Sequence, residues 1–95
     1  MRGKQRSVPK FEVVFTEKAH KDLSGLPEHE IDQILSSCLR LETDPRPDGK
    51  HVKKLKGYKD LYRLRIGDYR ALFECKGNVV TVVRLLTRQD FGKKY

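Results

Sequence analysis

Residues 61–75 read LYRLRI-GD-YRALFEC, and the fold follows from them. Leu61–Ile66 alternates, with Tyr62, Leu64 and Ile66 on one face and Arg63 and Arg65 on the other. Gly67-Asp68 is a two-residue hairpin loop, and Tyr69–Cys75 returns as the next strand. With that loop, paired positions sum to a constant, so Arg65 faces Arg70 and Arg63 faces Leu72. Tyr69, Ala71 and Phe73 extend the apolar face, while Arg63, Arg65 and Arg70 gather on the opposite one with Leu72 and Glu74. Like charges opposed across a ladder destabilise it. A planar, permanently cationic guanidinium trio is matched to phosphate oxygens, which offers a reason for keeping them there.

Downstream, Lys76-Gly77-Asn78 turns the chain and Val79–Leu86 is an apolar run broken only by Arg84, which reads as a central strand. A two-residue turn would put Arg84 under the helices, where charge burial is costly. A three-residue turn places it opposite Arg70 in the cluster, and that register is preferred. Arg88 leaves the strand end, and a short helix or loop beyond it folds Tyr95 back over the same face.

Upstream, Phe11–Phe15 reads as a first strand. Thr16 suits a helix N-cap, followed by a short helix over Glu17–Leu23 that closes near Gly25. Pro27 opens a second helix, with Glu28 and Glu30 favouring its positive end and Ile31, Ile34, Leu35, Cys38 and Leu39 forming its apolar stripe. Residues 44–49, DPRPDG, forbid regular structure. His51–Lys56 is the densest basic run, either a solvated loop or a contact for RNA backbone through Lys53, Lys54 and Lys56. The order β-α-α-β-β-β predicts an α+β fold: a small antiparallel four-stranded sheet with the N-terminal helix pair on one face.

Ninety-five residues form one domain, 11–95, behind a basic tail, 1–10, expected to be disordered. The composition is 37% hydrophobic and 36% charged, and no run approaches the roughly 20 apolar residues of a membrane span. No apolar stretch follows the early basic residues, so a secretory signal is excluded and a cytoplasmic location is expected. Cys38 and Cys75 sit in apolar patterns without metal-ligand spacing, which favours reduced thiols and no metal or other cofactor. The charge is segregated: residues 11–44 hold three basic and eight acidic side chains, residues 45–95 fourteen and five. Such a one-signed half suggests a polyanionic partner such as nucleic acid.

Taken in order, several pieces resemble the RelE/ParE superfamily of bacterial and archaeal toxins, and within it the RelE branch. They are the first strand with Thr16-x-x-Ala19, Lys21-Asp22-Leu23 and Leu26-Pro27; Lys54-Leu55-Lys56-Gly57; Tyr62-Arg63-Leu64-Arg65; Asp68–Phe73; and Val83–Arg88. The resemblance implies a ribosome-dependent endoribonuclease that cuts mRNA in the decoding site by attack of a 2′-hydroxyl on the adjacent phosphate, held inactive by a cognate antitoxin. It also implies catalytic roles for Arg63, Arg65, Arg70, Arg88 and Tyr95, the last as a C-terminal aromatic near the substrate base. Arg84 joins Lys53, Lys54 and Lys56 as an expected RNA contact.

The chain departs from the family pattern in three places. Thr87 stands where many relatives have histidine, Gly92 where a tyrosine often follows, and arginine replaces lysine at 63 and 65. An arginine is no proton acceptor, so the general base is left open among Lys54, Glu74, His51 and Tyr95, with Arg88 as an acid. Two alternatives stay beside the nuclease: a ParE-like inhibitor of DNA gyrase, and an RNA-binding module without catalysis.

Overall fold

Two glycine turns set the sheet. Gly67 and Gly77 adopt φ of 54° and 58°, a region that costs glycine nothing, and each occupies the first position of a two-residue hairpin loop. In the computed structural model, which describes residues 10–95, they join β3 (Leu61–Ile66), β4 (Tyr69–Lys76) and β5 (Val79–Thr87) into an antiparallel meander. Arg65 faces Arg70 and Arg63 faces Leu72, as the alternation requires.

The rest of the sheet differs from the expectation of four antiparallel strands. It is five-stranded and mixed, in the order β1-β5-β4-β3-β2. The first strand, β1 (Glu12–Phe15), runs parallel to β5. The extra strand, β2 (Val52–Lys54), lies in the basic run and pairs with β3. It was hidden because its three residues bury only Val52. The expected tail, residues 1–10, lies outside the described residues save for Lys10.

Helices α1 (Glu17–Ser24) and α2 (Glu28–Leu39) cover one face together, as expected of the helix pair. Their Ala19, Leu23, Ile34 and Cys38 share a core with Leu64, Ile66, Ala71, Phe73, Val80, Val82 and Leu85. The Tyr62 and Phe73 rings stack at 5.4 Å beside it, and the Tyr69 hydroxyl donates to the Glu30 carboxylate, tying the hairpin to α2. Leu39, expected in the stripe, is 50% exposed instead, because the chain tightens into a 3-10 turn at Arg40–Glu42. Cys38 and Cys75 are unbridged, and burial drives the Cys38 thiol pKa up to about 12.

A bulge in β5 decides which residues face the second side. Phe73 pairs with Val82 but Leu72 pairs with Arg84, so Val83 is an extra residue. Before it, Val80 and Val82 point into the core; after it, Leu85 does. The inserted residue reverses the alternation, and Arg84 and Leu86 therefore turn to the opposite face. Arg84 thus escapes burial without the three-residue turn expected from sequence, and its opposite number is Leu72 rather than Arg70.

Threonine 16 supports the bulge. Its hydroxyl accepts from the Ala19 N–H at 3.1 Å as the cap of α1 and donates to the Val83 carbonyl at 3.0 Å. On the second face, helix α3 (Arg88–Lys94) packs against β4 and β5, capped by Thr87 Oγ1. Leu72, expected on the arginine face, is buried there with Leu86, and neither belongs to the main core. No helix among the described residues is long and apolar enough to cross a membrane.

Candidate nucleic-acid interface

The face opposite the helix pair carries Arg63 and Arg65 from β3 and Arg70 from β4. Arg88, the first residue of α3, joins them because its N–H donates to the Asp68 carbonyl at 2.7 Å, docking the helix start on the β3–β4 turn. These four side chains sense one another. Burial first, then Arg63, Arg65 and Arg88, press the Arg70 pKa below its ordinary value, against an opposing pull from Asp68. Arg63 is lowered by burial and by Arg65, against an opposing pull from Asp48. Arg63 and Arg70 nevertheless stay cationic, since a guanidinium is not deprotonated in proteins.

What holds the cluster against its own repulsion is backbone. Arg70, only 9% exposed, donates from one terminal nitrogen to the Gly67 and Tyr69 carbonyls at 2.8 and 2.9 Å. Arg63 donates to the His51 carbonyl at 3.0 Å and the Lys50 carbonyl at 3.4 Å. Those carbonyl partners orient the guanidiniums without cancelling their charge. Among the described residues, none of Arg63, Arg65, Arg70 and Arg88 forms an ion pair with a carboxylate. A cleft of about 380 Å³, lined by Asp68, Thr87, Arg88 and Gln89, opens at the turn end of this face.

Arg84 behaves differently. Its Nε donates to Asp22 at 2.8 Å and a terminal nitrogen does so at 3.3 Å, while Asp22 also accepts the Leu85 N–H at 2.9 Å. Beyond Phe15 the edge of β5 has no strand partner, and Asp22 serves that edge from α1. Arg84, expected as an RNA contact, is thus engaged in an ion pair that holds α1 to β5.

The lysines expected to touch RNA lie on and beside β2. Lys53, opposite Arg63, and Lys54 are exposed on the strand, and Lys56 is exposed in the following turn. Lys54 Nζ donates to the Tyr58 carbonyl at 3.2 Å. Tyr95 is 42% exposed, with its ring 5.3 Å from Phe91 and 5.8 Å from Tyr58. Tyr58 was missed from the sequence, although an aromatic residue among Lys54, Lys56 and Lys59 was the available signal. His51 Nδ1 stands 3.5 Å from Asp48, whose other oxygen accepts three backbone N–H groups and which is held far below the usual carboxylate range. No group of three or more metal-ligating side chains occurs among the described residues.

Comparison with known proteins gives this face a setting. Residues 13–90 match the family described as ParE toxin of type II toxin–antitoxin system, parDE. Toxin RelE3 of Methanocaldococcus jannaschii is 34% identical over 85 residues, covering 84% of this chain and 93% of the relative. The chain belongs to the RelE/ParE toxin superfamily. It falls in the RelE-type branch. The archaeal RelE–RelB complex from Pyrococcus horikoshii OT3 contains a chain 33% identical to this one, with a TM-score of 0.69 and coverage of 83% and 96%. The RelB–RelE antitoxin–toxin complex from Methanococcus jannaschii contains another, at 28% and 0.69, with coverage of 86% and 98%. A RelE-type toxin thus presents un-neutralised guanidiniums on the sheet face that the paired helices leave open.

Proposed function

We propose that this RelE-type toxin is an endoribonuclease that cuts mRNA on the ribosome, with Arg63, Arg65, Arg70 and Arg88 as its phosphate-directed machinery. The observation that carries the reading is four neighbouring guanidiniums that form no ion pair with a carboxylate among the described residues, two of them fixed by carbonyl hydrogen bonds. In the reaction, the 2′-oxygen bonds to phosphorus, the 5′-oxygen leaves, and the products are a 2′,3′-cyclic phosphate and a 5′-hydroxyl end. Charge builds on the phosphorane oxygens between these events. Fixed cations aimed there need no reorganisation, and one such donor is worth on the order of 100-fold in rate. Arginines do not accept the 2′-hydroxyl proton, so much of the strand's alignment is assigned to the ribosome.

Lys53, Lys54 and Lys56 supply backbone contacts along the β2 edge, and Tyr95 receives a base. The partner is a RelB-type antitoxin, supported by the similarity to toxin chains from two archaeal RelE–RelB complexes; its segment that covers the arginine face is acidic, to match the charge there. Primer extension on a translated message tests the reading. Induction of the chain is expected to give new 5′ ends, and the exposed Arg65→Gln together with Arg88→Gln to abolish them. Intact message, or equal cleavage by the double variant, overturns it. The match to the ParE description favours gyrase inhibition as a second reading, and blocked DNA supercoiling with intact mRNA is its signature.

A further inference from the structure

Three large apolar side chains are strongly exposed among the described residues: Leu39 on the helix side, and Tyr58 and Tyr95. The two tyrosines touch each other, with centroids 5.8 Å apart and planes at 56°. Phe91 backs Tyr95 at 5.3 Å and 27°, so the three rings form a short column rising from α3 to the loop before β3. Tyr58 is the outermost ring and is 43% exposed.

Its surroundings are cationic. Lys54, Lys56 and Lys59 flank it in sequence, and the Lys54 ammonium holds its carbonyl at 3.2 Å. Asp60, which leads into β3, adopts φ of 60°, fixing the exit of this loop. The helix that ends on Tyr95 starts at Arg88, so the column stands at the far end of the element that begins in the arginine cluster.

Exposed aromatic rings set among lysines are the usual platform for single-stranded nucleic acid. Every base offers a π-face, and a cationic groove tracks the backbone. We propose that Tyr58, backed by Tyr95 and Phe91, is a base-stacking residue that positions single-stranded RNA leaving the arginine cluster. The proposal rests on the RNA reading above, and it adds a residue from the β2–β3 loop to a site otherwise built from the sheet and α3. A ring serving only to seat α3 would need apolar bulk at position 58, not aromaticity.

The test is an anisotropy titration of the full chain with a fluorescein-labelled RNA of about eight nucleotides. Every 2′-hydroxyl is methylated, so that binding is read without cleavage. Tyr58→Leu, which keeps apolar bulk, is expected to weaken binding about fivefold or more. Tyr58→Phe retains affinity and Tyr58→Trp raises it, while thermal melts check that all three variants are folded. If Tyr58→Leu binds as wild type while Arg65→Gln binds more weakly, the stacking role is overturned and the arginine reading stands. A Tyr58→Phe variant as weak as Tyr58→Leu also overturns it. Failure of the unaltered chain to bind the probe overturns both.

Discussion

Arg65 is opposed to Arg70 across the β3–β4 ladder, with Arg63 two positions along β3 and, among the described residues, no acid in an ion pair with any of them. Replacing it with glutamine keeps a polar, hydrogen-bonding side chain and deletes one charge. A like-charge cross-strand pair costs ~0.2–1 kcal/mol, the same order that Coulomb's law gives for neighbouring charges in a water-like medium. Arg65→Gln should therefore be more stable than wild type by about 0.5–1 kcal/mol at low salt, which for a domain of this size raises the melting midpoint by roughly 2–8 °C. Calorimetry at low and at high salt checks it. The gain should shrink as the Debye length falls from about 30 Å at 0.01 M to about 3 Å at 1 M. Loss of RNA binding alongside a gain in stability would mark a residue kept for function against the interest of the fold. A destabilised Arg65→Gln, or a gain that ignores salt, would refute the idea that the cluster is held against its own repulsion.

Asp22→Asn should lower stability by about 1–3 kcal/mol, because Asp22 accepts from two Arg84 nitrogens and the Leu85 N–H. A double-mutant cycle with Arg84→Met should show coupling above ~0.5 kcal/mol, and additive effects would contradict the pairing. Asp48 carries a depressed folded pKa, caused first by the Val52 and Lys50 backbone N–H groups. Its contribution is complete above the unfolded carboxylate value of about 3.9 and drains away as pH falls toward the folded one. Wild type should accordingly exceed Asp48→Asn in urea resistance near neutrality, with the difference narrowing below about pH 4. A difference constant from pH 7 to 3 would count against it.

Much of this architecture was legible because local chemistry dictated it. Gly67-Asp68 fixed the hairpin and with it the Arg65–Arg70 opposition, and the four-residue recurrence from Ile31 to Cys38 marked the buried side of α2. What escaped was non-local. Nothing in Phe11–Phe15 says that it lies parallel to β5, and Val52–Lys54 is too short to announce a strand.

The bulge at Val83 was not visible as such, because Val82 and Val83 on either side of the phase change are both apolar. The conflict it resolves was nevertheless visible as a charged Arg84 in a buried phase. Asp22, 62 residues from Arg84, gave no hint of its partner. The site was legible as a charge pattern, but the carbonyl tethers of Arg63 and Arg70 were not, because backbone acceptors leave no trace in side-chain sequence. Tyr58 lay unremarked among lysines for a related reason: its contact with Tyr95 exists only once α3 folds back.

How firmly this guanidinium face grips phosphate is read from the salt dependence of RNA affinity. For a single strand the logarithmic slope is about −0.7 per phosphate neutralised. With the four arginines and Lys53, Lys54 and Lys56 engaged, the slope for a 2′-O-methyl RNA should be about −5, and Arg63→Gln, Arg65→Gln and Arg88→Gln combined should flatten it by about 2, to about −3. An identical slope for the triple variant and the unaltered chain would contradict the account.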